Sequence, residues 1–315
     1  MEYKVLAYYS IEPLDDPQNE IALHKAFFET RDFRGRIYIS TQGINGQASG
    51  RADHADEYMA WMGSRFQKMP FKVHPATEHA FAKMRVKYRR QLVAVDCEVD
   101  FSKRGESVVP EVWKKMIEER DENTLILDVR NDYEWKIGRF QGAELPKLET
   151  FRQFPAYARK LKEERDPKKT KVMMYCTGGI RCEYFSSLMK EEGFDQVFQL
   201  DGGVIQYGLE AGSEHWEGKL FVFDDRLGVP MGEENPPISH CKCCDTPCDV
   251  YYNCANMDCN ALFLCCPSCL KEHKGCCASP CEQAPRIRPY QEGGKPFRKW
   301  DYQEKMAWKN ASLQS

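Results

Sequence analysis

A cysteine that follows an apolar run and precedes two glycines is the residue best placed for chemistry. The run 171–175 (KVMMY) predicts a buried strand. The loop after it comprises Cys176, Thr177, Gly178, Gly179, Ile180 and Arg181. Ligands bind at the carboxyl ends of strands in open α/β sheets, and the amides of a tight turn before a helix bind anions. Because a thiol in such a turn is stabilised as a thiolate, we interpret Cys176 as a nucleophile with the positive charge of Arg181 beside it. The alternative is a buried structural cysteine.

The spacing between Cys176 and Arg181, C-x4-R, separates two kinds of cysteine chemistry. Cysteine phosphatases use C-x5-R, a cradle wide enough for phosphate. This loop is one residue shorter and suits a smaller group, such as a sulfur atom carried on the cysteine. It resembles the active-site loop of rhodanese domains.

Three further runs are similar to parts of the rhodanese domain. The run 127–130 (LDVR), followed by Glu134, and the run 138–143 (GRFQGA) resemble its D-V-R…E…G-H-I-x-G-A stretch, with Arg139 in place of the usual histidine. The run 201–203 (DGG) matches its closing D-G-G.

Four side chains near these motifs are expected to support the loop or the core. Asp128 and Arg130 are expected to hold the loop by hydrogen bonds rather than to touch a substrate. Cys182 either resolves a disulfide or persulfide with Cys176 or packs inertly in the next helix, and both interpretations stay open. Cys97 is expected to be structural.

The first 96 residues predict a separate domain. Strands are expected at 4–9, 36–41, 71–74 and 84–88, with a return strand after the turn 42–46, and helices at 17–33 and 53–66. This β-α-β-β-α-β order is that of a ferredoxin-like (acylphosphatase-like) split βαβ domain.

Residues 97–109 are expected to be a linker to an α/β domain at 110–230. Helices are predicted at 110–120, 151–164 and 184–192, and strands at 124–129, 171–175 and 197–200. Alternation at this spacing favours a doubly wound parallel sheet. A cysteine-rich module at 231–285 and a basic, aromatic tail at 286–315 complete an α/β and α+β multidomain chain.

Twelve of the 15 cysteines lie between Cys241 and Cys281. In a reducing compartment such density favours metal thiolates over disulfides. The pairs with metal-ligand spacing are Cys241 and Cys244, Cys254 and Cys259, Cys266 and Cys269, and Cys277 and Cys281. If the pairs interleave, the first and third share one structural zinc ion and the second and fourth another. Other ligands are offered by Cys243, Cys248, Cys265, Cys276, His240 and His273, and an iron–sulfur cluster is the competing interpretation.

Basic residues form two candidate RNA-binding surfaces. In the strand at 84–88 and just after it, Arg85, Lys87 and Arg89 share one face, with Arg90 adjacent. This stripe either contacts phosphates or is a charged edge that prevents aggregation. The second surface comprises Arg286, Arg288, Tyr290, Lys295, Phe297, Arg298, Lys299 and Trp300. Its aromatic rings could stack on unpaired bases, or the tail could dock on its own domain.

Composition limits the class of protein. The 315-residue chain is 42% hydrophobic and 30% charged, which excludes wholesale disorder. Its net charge of −3 excludes a globally basic nucleic-acid coat. The N-terminus, MEYKVLAYYS, lacks a basic region followed by an apolar stretch, so we expect no secretory signal, and no apolar run approaches the ~20 residues of a membrane helix. We expect a cytoplasmic protein with neither a membrane nor DNA as partner.

Taken together, the split βαβ domain, the CTGGIRC loop and the module NCANMDC…FLCCPSC…GCC resemble the bacterial tRNA uridine hydroxylase family (TrhO-like, rhodanese-domain proteins). The resemblance covers nearly all of residues 1–285. It implies an oxidoreductase that uses molecular oxygen to convert the wobble uridine of tRNA to 5-hydroxyuridine. It also places the family's catalytic cysteine, with its persulfide intermediate, at Cys176, and makes the anticodon region of tRNA the partner.

Two other functions remain open from the sequence. One is a sulfurtransferase that moves sulfane sulfur from thiosulfate or a persulfide donor. The other is a non-catalytic protein in which a rhodanese fold and a zinc module hold RNA or a partner.

Overall fold

The computed structural model describes residues 2–148 and 150–291, which divide into two compact units with the boundary between Ile238 and Ser239. The predicted cysteine-rich module, 231–285, thus begins before the second unit does. Of the predicted tail, residues Lys295, Phe297, Arg298, Lys299 and Trp300 lie outside the described residues.

The N-terminal domain of the first unit is a five-stranded sheet with two helices on one face. Its elements are β1 (Tyr3–Ser10), α1 (Pro17–Glu29), β2 (Phe33–Ser40), β3 (Gly43–Arg51), α2 (Ala52–Gly63), β4 (Phe71–Ala76) and β5 (Met84–Tyr88). The strand order is β4-β1-β3-β2-β5, antiparallel except for the parallel pair β2 and β5. This is the predicted split βαβ arrangement with β5 added at its edge.

Side chains alternate along the strands, so the sheet has one face that packs against α1 and α2 and an opposite face without helices of this domain, called the open face below. Leu6 and Ile37 pack with Tyr58 of α2 in the domain core. Tyr9 follows the core residue Tyr8, and Lys72 pairs with Ala7, which follows Leu6; both point to the open face because successive side chains alternate. The predicted helix 17–33 is too long, since α1 ends at Glu29 and Phe33 already pairs with Gly50 in the sheet.

The connection to the central domain is more structured than the predicted linker. Leu92, Val93 and Val95 pack into the core of the central domain. Within the supposed linker 97–109, β6 (Glu106–Val108) forms a parallel pair with a strand of the central sheet. The linker prediction is therefore wrong for these residues, because a three-residue edge strand of polar composition carries no apolar pattern.

The central domain is the predicted doubly wound parallel sheet. After β6 its elements are α3 (Pro110–Glu118), β7 (Thr124–Asp128), α4 (Asp132–Trp135), β8 (Gly138–Phe140), α5 (Phe154–Glu164), β9 (Lys171–Tyr175), α6 (Ile180–Glu191), β10 (Gln196–Leu200), α7 (Gly203–Glu210), β11 (Trp216–Gly218), β12 (Leu220–Phe221) and β13 (Gly228–Val229). The sheet has the order β6-β10-β9-β7 with all strands parallel. Side chains of α5 and α6 pack in the core on one face, and those of α3 and α7 in the core on the other.

Two predicted helices of this domain have different starts. The helix predicted at 151–164 begins with a separate 3-10 turn, Phe151–Gln153, because Pro155 stands in the first turn of α5. The helix predicted at 184–192 begins at Ile180, directly after Gly179. The earlier start brings the helix N-terminus to the cysteine loop.

The second unit is built around its cysteines. Its elements are β14 (Tyr251–Asn253), β15 (Leu262–Leu264), α8 (Pro267–Glu272) and α9 (Ser279–Glu282). Phe263 and Leu270 are buried hydrophobic side chains that pack among buried cysteines. So small an apolar core indicates that the unit needs another source of stability. In neither unit does the described part of the chain contain a helix that is long and apolar enough to cross a membrane.

Candidate active site

The loop from Cys176 to Arg181 wraps around the sulfur of Cys176. The Gly179 amide donates to Cys176 Sγ at 3.1 Å. Gly179 adopts a φ of 99°, which an L side chain rarely adopts, and it allows α6 to begin at the next residue. The sulfur thus lies at the N-terminus of a helix, where unpaired amides stabilise an anion.

The predicted Asp201-Gly202-Gly203 turn supports this loop from the adjacent strand. Val204 and Ile205 at the start of α7 donate their amides to the carbonyls of Cys176 and Thr177, each at 3.0 Å. A Cβ at Gly203, where φ is 68°, would stand 2.5 Å from the Cys176 carbonyl oxygen. Glycine is required here because the two turns approach each other this closely.

Arg181 is held by an ion pair within the central domain. Its Nη1 and Nη2 donate to the carboxylate of Glu134 at 2.5 and 2.8 Å, and Nη2 also donates to Thr177 Oγ1 at 3.2 Å. The Thr177 hydroxyl donates to Glu134 at 2.8 Å. Burial alone would raise the pKa of Glu134, but Arg181 and Arg130 hold it below its usual range. The sequence predicted Glu134 only as a residue of the D-V-R…E motif, and its ion pair with Arg181 was missed.

Cys176 is poised as a thiolate. Burial alone would raise its pKa, but a hydrogen bond from the Cys182 thiol, the charge of Arg181 and the amides of Cys182 and Arg181 together lower the pKa to about 5. Cys182 is itself fully buried, and burial together with the neighbouring Cys176 raises its pKa far above the ordinary value. The two cysteines therefore differ in charge, with Cys182 as the protonated donor.

Asp128 and Arg130 lie beneath the loop rather than in it. Arg130 donates through Nε and Nη2 to Asp128, at 2.9 and 2.7 Å, and through Nη2 to the Gly138 carbonyl at 2.6 Å. The Tyr175 hydroxyl donates to Asp128 at 2.6 Å. Both charged side chains are fully buried. This pair ties the ends of β7, β8 and β9 together.

Two other predicted positions lie apart from the sulfur. Arg139, which replaces the usual histidine, donates to the Trp135 carbonyl at 3.3 Å. Cys97 is half-buried against the core that contains α6.

A cleft of about 390 Å³ opens between the Cys176 loop and the open face of the N-terminal sheet. Cys176 lies buried at its base, and the residues that line it from the N-terminal domain include Tyr9, Tyr38, Lys72 and Arg89. Tyr9 also donates to Glu183 of α6 at 3.0 Å, and Tyr184 to Gln42 at 2.7 Å, so hydrogen bonds link the two domains at this edge. Of these N-terminal residues the sequence singled out only Arg89, as part of the basic stripe; Tyr9, Tyr38 and Lys72 were not foreseen, since no sequence pattern relates segments so far apart.

The predicted basic stripe lies beside this cleft. Arg85 and Lys87 are exposed and pair in register with Arg36 and Tyr38, so they extend the open face of the sheet. The guanidinium of Arg89 stacks 4.8 Å from the centre of the Tyr38 ring and lines the cleft. Arg90 follows it and is exposed.

The second unit brings the eight predicted metal-ligating cysteines into two groups. The first contains Cys241, Cys244, Cys266 and Cys269, and the second contains Cys254, Cys259, Cys277 and Cys281. In each group the sulfurs lie within 4.8 Å of one another. All cysteines are free thiols, so the groups are not disulfides. The first and third cysteine pairs thus lie together, as do the second and fourth, which is the interleaved arrangement that the sequence left open.

The two groups share a local geometry. The Cys244 and Cys266 sulfurs are 3.7 Å apart, as are those of Cys259 and Cys277. The amide of Cys266 donates to Cys241 Sγ at 3.3 Å, and that of Cys277 donates to Cys254 Sγ at 3.4 Å. Sulfurs on a tetrahedral zinc ion with bonds of ~2.3 Å lie about 3.8 Å apart. The donor set and spacing therefore fit a divalent metal with thiolate ligands.

The remaining candidates of this unit have other surroundings. Cys243 and Cys265 form a smaller group with Cys241, while His273 pairs with Glu282.

Of the predicted second RNA surface, Arg286 forms an ion pair with Asp258, and Arg288 donates to Asn260 at 2.8 Å. Tyr290 packs against the cysteine core. These described members are engaged within their own unit.

Family models match three segments of the chain. Residues 3–92 match the UPF0176 acylphosphatase like domain, residues 109–209 the rhodanese-like domain, and residues 217–282 the model described as rhodanase C-terminal. The fold and the cysteine loop thus define a rhodanese-domain protein with an acylphosphatase-like N-terminal domain.

Relatives that match over most of the chain identify the family to which it belongs. The chain is 55% identical to the tRNA uridine(34) hydroxylase of Chlamydia trachomatis serovar D over 304 residues, which is 94% of this chain and 92% of the relative. It is 54% identical to that of Chlamydia pneumoniae, over 95% and 94% of the two chains, and 53% identical to that of Protochlamydia amoebophila, over 94% and 93%. The chain belongs to the tRNA uridine(34) hydroxylase family, and the resemblance inferred from its motifs is confirmed.

Proposed function

We propose that this protein hydroxylates the wobble uridine, position 34, of tRNA to 5-hydroxyuridine, with Cys176 as its reactive group. The observation that carries the proposal is the placement of a low-pKa cysteine at the base of a cleft bounded by both domains of the first unit. The name of the family, tRNA uridine(34) hydroxylase, indicates the substrate, and the cleft has room for an extruded base. The oxidant implied by the resemblance is molecular oxygen.

The residues around Cys176 divide the work of presenting its sulfur. The loop amides, with that of Gly179 at 3.1 Å, bind the sulfur as a thiolate or as the terminal anion of a persulfide. Arg181 contributes charge while Glu134 and Thr177 fix its position. Asp128 and Arg130 hold the strand ends on which the loop stands.

The anticodon region is proposed to enter over the basic stripe. Arg85, Lys87 and Arg90 are exposed and neutralise phosphates, while Arg89 and Tyr38 form a stacked platform inside the cleft. Unpaired loop bases are commonly recognised by stacking on aromatic rings and guanidinium planes. The stripe is therefore interpreted as an RNA contact rather than only as a protected edge.

The decisive experiment is mass spectrometry of tRNA nucleosides from cells with and without the protein. Loss of 5-hydroxyuridine on deletion, with recovery on complementation by the wild-type chain but not by Cys176→Ser, is expected. Unchanged 5-hydroxyuridine in the deletion strain would overturn the proposal.

A sulfurtransferase is the second candidate, favoured by one observation. The short C-x4-R loop with converging amides is also what a carrier of sulfane sulfur requires. In the same nucleoside analysis this function predicts loss of a thiolated uridine while 5-hydroxyuridine remains.

We further propose that the two four-cysteine groups each hold a structural zinc ion. The ligands would be Cys241, Cys244, Cys266 and Cys269 for one ion, and Cys254, Cys259, Cys277 and Cys281 for the other. Zinc ligation supplies folding energy to a unit with few buried apolar side chains. Four protein ligands leave no open position, so a structural role is assigned.

A further inference from the structure

Lys72 is a buried lysine that reaches from the N-terminal domain into the Cys176 loop. It is 3% exposed, although it lies on β4 of the other domain. Its Nζ donates to the carbonyl oxygen of Gly178 at 2.9 Å. The path of its side chain passes Gly202, where a Cβ would stand 3.1 Å from Lys72 Cε.

The burial of this ammonium group requires an explanation. Within residues 2–148 and 150–291, no carboxylate forms an ion pair with Lys72. Burial lowers the pKa of Lys72 to about 8, while the charges of Cys176, Asp201 and Glu183 partly oppose this shift. An unpaired buried charge is costly, and ionisable groups with strongly shifted pKa values are concentrated at functional sites.

The peptide group that Lys72 contacts is also the one that contacts the reactive sulfur. The Gly178 carbonyl and the Gly179 amide belong to the same planar peptide unit. Lys72 binds its oxygen at 2.9 Å, and its N–H donates to Cys176 Sγ at 3.1 Å. A cation on the oxygen polarises the N–H and fixes its direction toward the sulfur.

Two of the other charged groups around Cys176 are engaged in hydrogen-bonded pairs. Arg181 is paired with Glu134, and Glu183 accepts hydrogen bonds from Tyr9 and Arg104. Asp201 is exposed and raises the pKa of Lys72 through its charge, and Cys182 is a neutral donor. Among these groups Lys72 is the cation whose charge is not balanced by a carboxylate in hydrogen-bond contact.

We propose that Lys72 is a positioning residue for Cys176: through the Gly178–Gly179 peptide it aims an N–H at the sulfur and supplies the positive charge that stabilises the anionic form. The inference rests on the proposed function only in taking Cys176 as the reactive group. It also explains why the rhodanese loop and the acylphosphatase-like domain share one compact unit, since the loop is completed by a side chain from the other domain.

The first test compares Lys72→Met with Lys72→Arg in the full chain. The pH titration of the Cys176 thiolate is followed by its ultraviolet absorbance, as the difference from the same chain carrying Cys176→Ser. Lys72→Met is expected to reduce the thiolate-to-thiol ratio at a given pH by about tenfold, which is one pKa unit. Lys72→Arg keeps the cation and is expected to retain most of the thiolate. Lys25→Met, an exposed lysine on α1, is the matched control and should leave the titration unchanged.

The second test keeps Lys72 in place and does not depend on the folding of its variants. Isotope-labelled Lys72 is titrated by NMR in the wild-type chain and in Cys176→Ser. Because the coupling is reciprocal, removal of the thiolate should lower the pKa of Lys72. An unchanged Lys72 titration in Cys176→Ser, or an unchanged Cys176 titration in folded Lys72→Met, overturns the inference. Neither measurement uses tRNA, so failure of the proposed hydroxylation would be seen separately.

Discussion

Arg181, the last residue of the Cys176 loop, forms a two-pronged ion pair with Glu134, with Nη1 to Oε2 at 2.5 Å and Nη2 to Oε1 at 2.8 Å. Both side chains are buried, and Glu134 also accepts the Thr177 hydroxyl. The pair therefore ties α4 to the loop and to the first turn of α6. A guanidinium held in this way directs its field toward Cys176 without the freedom to swing into the cleft.

Replacement of Glu134 by glutamine should destabilise the first unit and impair the loop. The change leaves Arg181 as a buried cation without its carboxylate, and breaking a buried pair in this way costs about 3–5 kcal/mol. Thermal unfolding monitored by circular dichroism would report this as a clear fall in Tm. Glu111→Gln, at an exposed position of α3, is the control and should leave Tm within a degree or two. An unchanged Tm in Glu134→Gln would show that the pair contributes little.

Cys176→Ser should abolish uridine hydroxylation while the fold persists. The thiolate is needed for chemistry, and serine fills nearly the same volume.

The thiolate fraction of Cys176 in the wild-type chain should rise with pH and reach half near pH 5, because the pKa of Cys176 is lowered to about 5. The acidic limb of activity should therefore fall as pH decreases through that value. A limb near the ~8.5 of a free cysteine would contradict the loop electrostatics.

Cys182 offers a sharper probe of the same electrostatics through a pair of variants. Its thiol donates a hydrogen bond to Cys176, so Cys182→Ala should raise the pKa of Cys176 and weaken activity at mildly acidic pH. Cys182→Ser retains a donor and should lose less. The thiolate absorbance of Cys176 and the rate of hydroxylation, each measured across pH, distinguish the two variants. Equal and complete loss of activity in both would instead assign Cys182 a covalent, resolving role.

Local patterns in the sequence predicted the elements and the cysteine loop, whereas contacts between distant segments were missed. The strand, glycine turn and helix around Cys176 are specified by adjacent residues, and the cysteine pairs by short spacings. The Lys72 contact to Gly178 joins residues 106 positions apart, and the Arg181 contact to Glu134 joins residues 47 apart. No periodicity encodes such pairs, because they depend on how the packed elements meet.

The same limit explains the errors in element boundaries. Strand β6 has only three residues and acquires its identity from pairing with β10. The start of α6 at Ile180 depends on the positive φ of Gly179, which the residue type permits but does not dictate.

If the basic stripe contacts RNA, its neutralisation should weaken tRNA binding through loss of phosphate contacts. Each of Arg85→Ala, Lys87→Ala and Arg90→Ala should reduce the slope of log affinity against log salt by about one. Arg89→Ala should in addition lower kcat, since Arg89 lines the cleft beside Tyr38. A triple alanine variant of the exposed lysines Lys160, Lys168 and Lys169 in the central domain is the charge-matched control. If the triple variant Arg85→Ala, Lys87→Ala, Arg90→Ala has the same salt slope as wild type, the stripe is a charged edge that prevents aggregation and not an RNA contact.

Purified protein should carry about two zinc ions per chain, because the eight cysteines form two complete sets of four ligands. Double replacement of Cys266 and Cys269 by serine removes two ligands of one set and should release about one ion, with local unfolding of the second unit. Elemental analysis measures the metal, and hydrogen exchange locates the unfolding. Cys248→Ser, at a buried cysteine outside both sets, is the matched control and should retain both ions.

The central domain has its own sheet and core, so in the Cys266 and Cys269 double variant the thiolate titration of Cys176 should persist while tRNA modification falls. Iron in place of zinc, or no metal at all, would overturn the assignment, and loss of the Cys176 titration would mean that the cysteine-rich unit supports the active site directly.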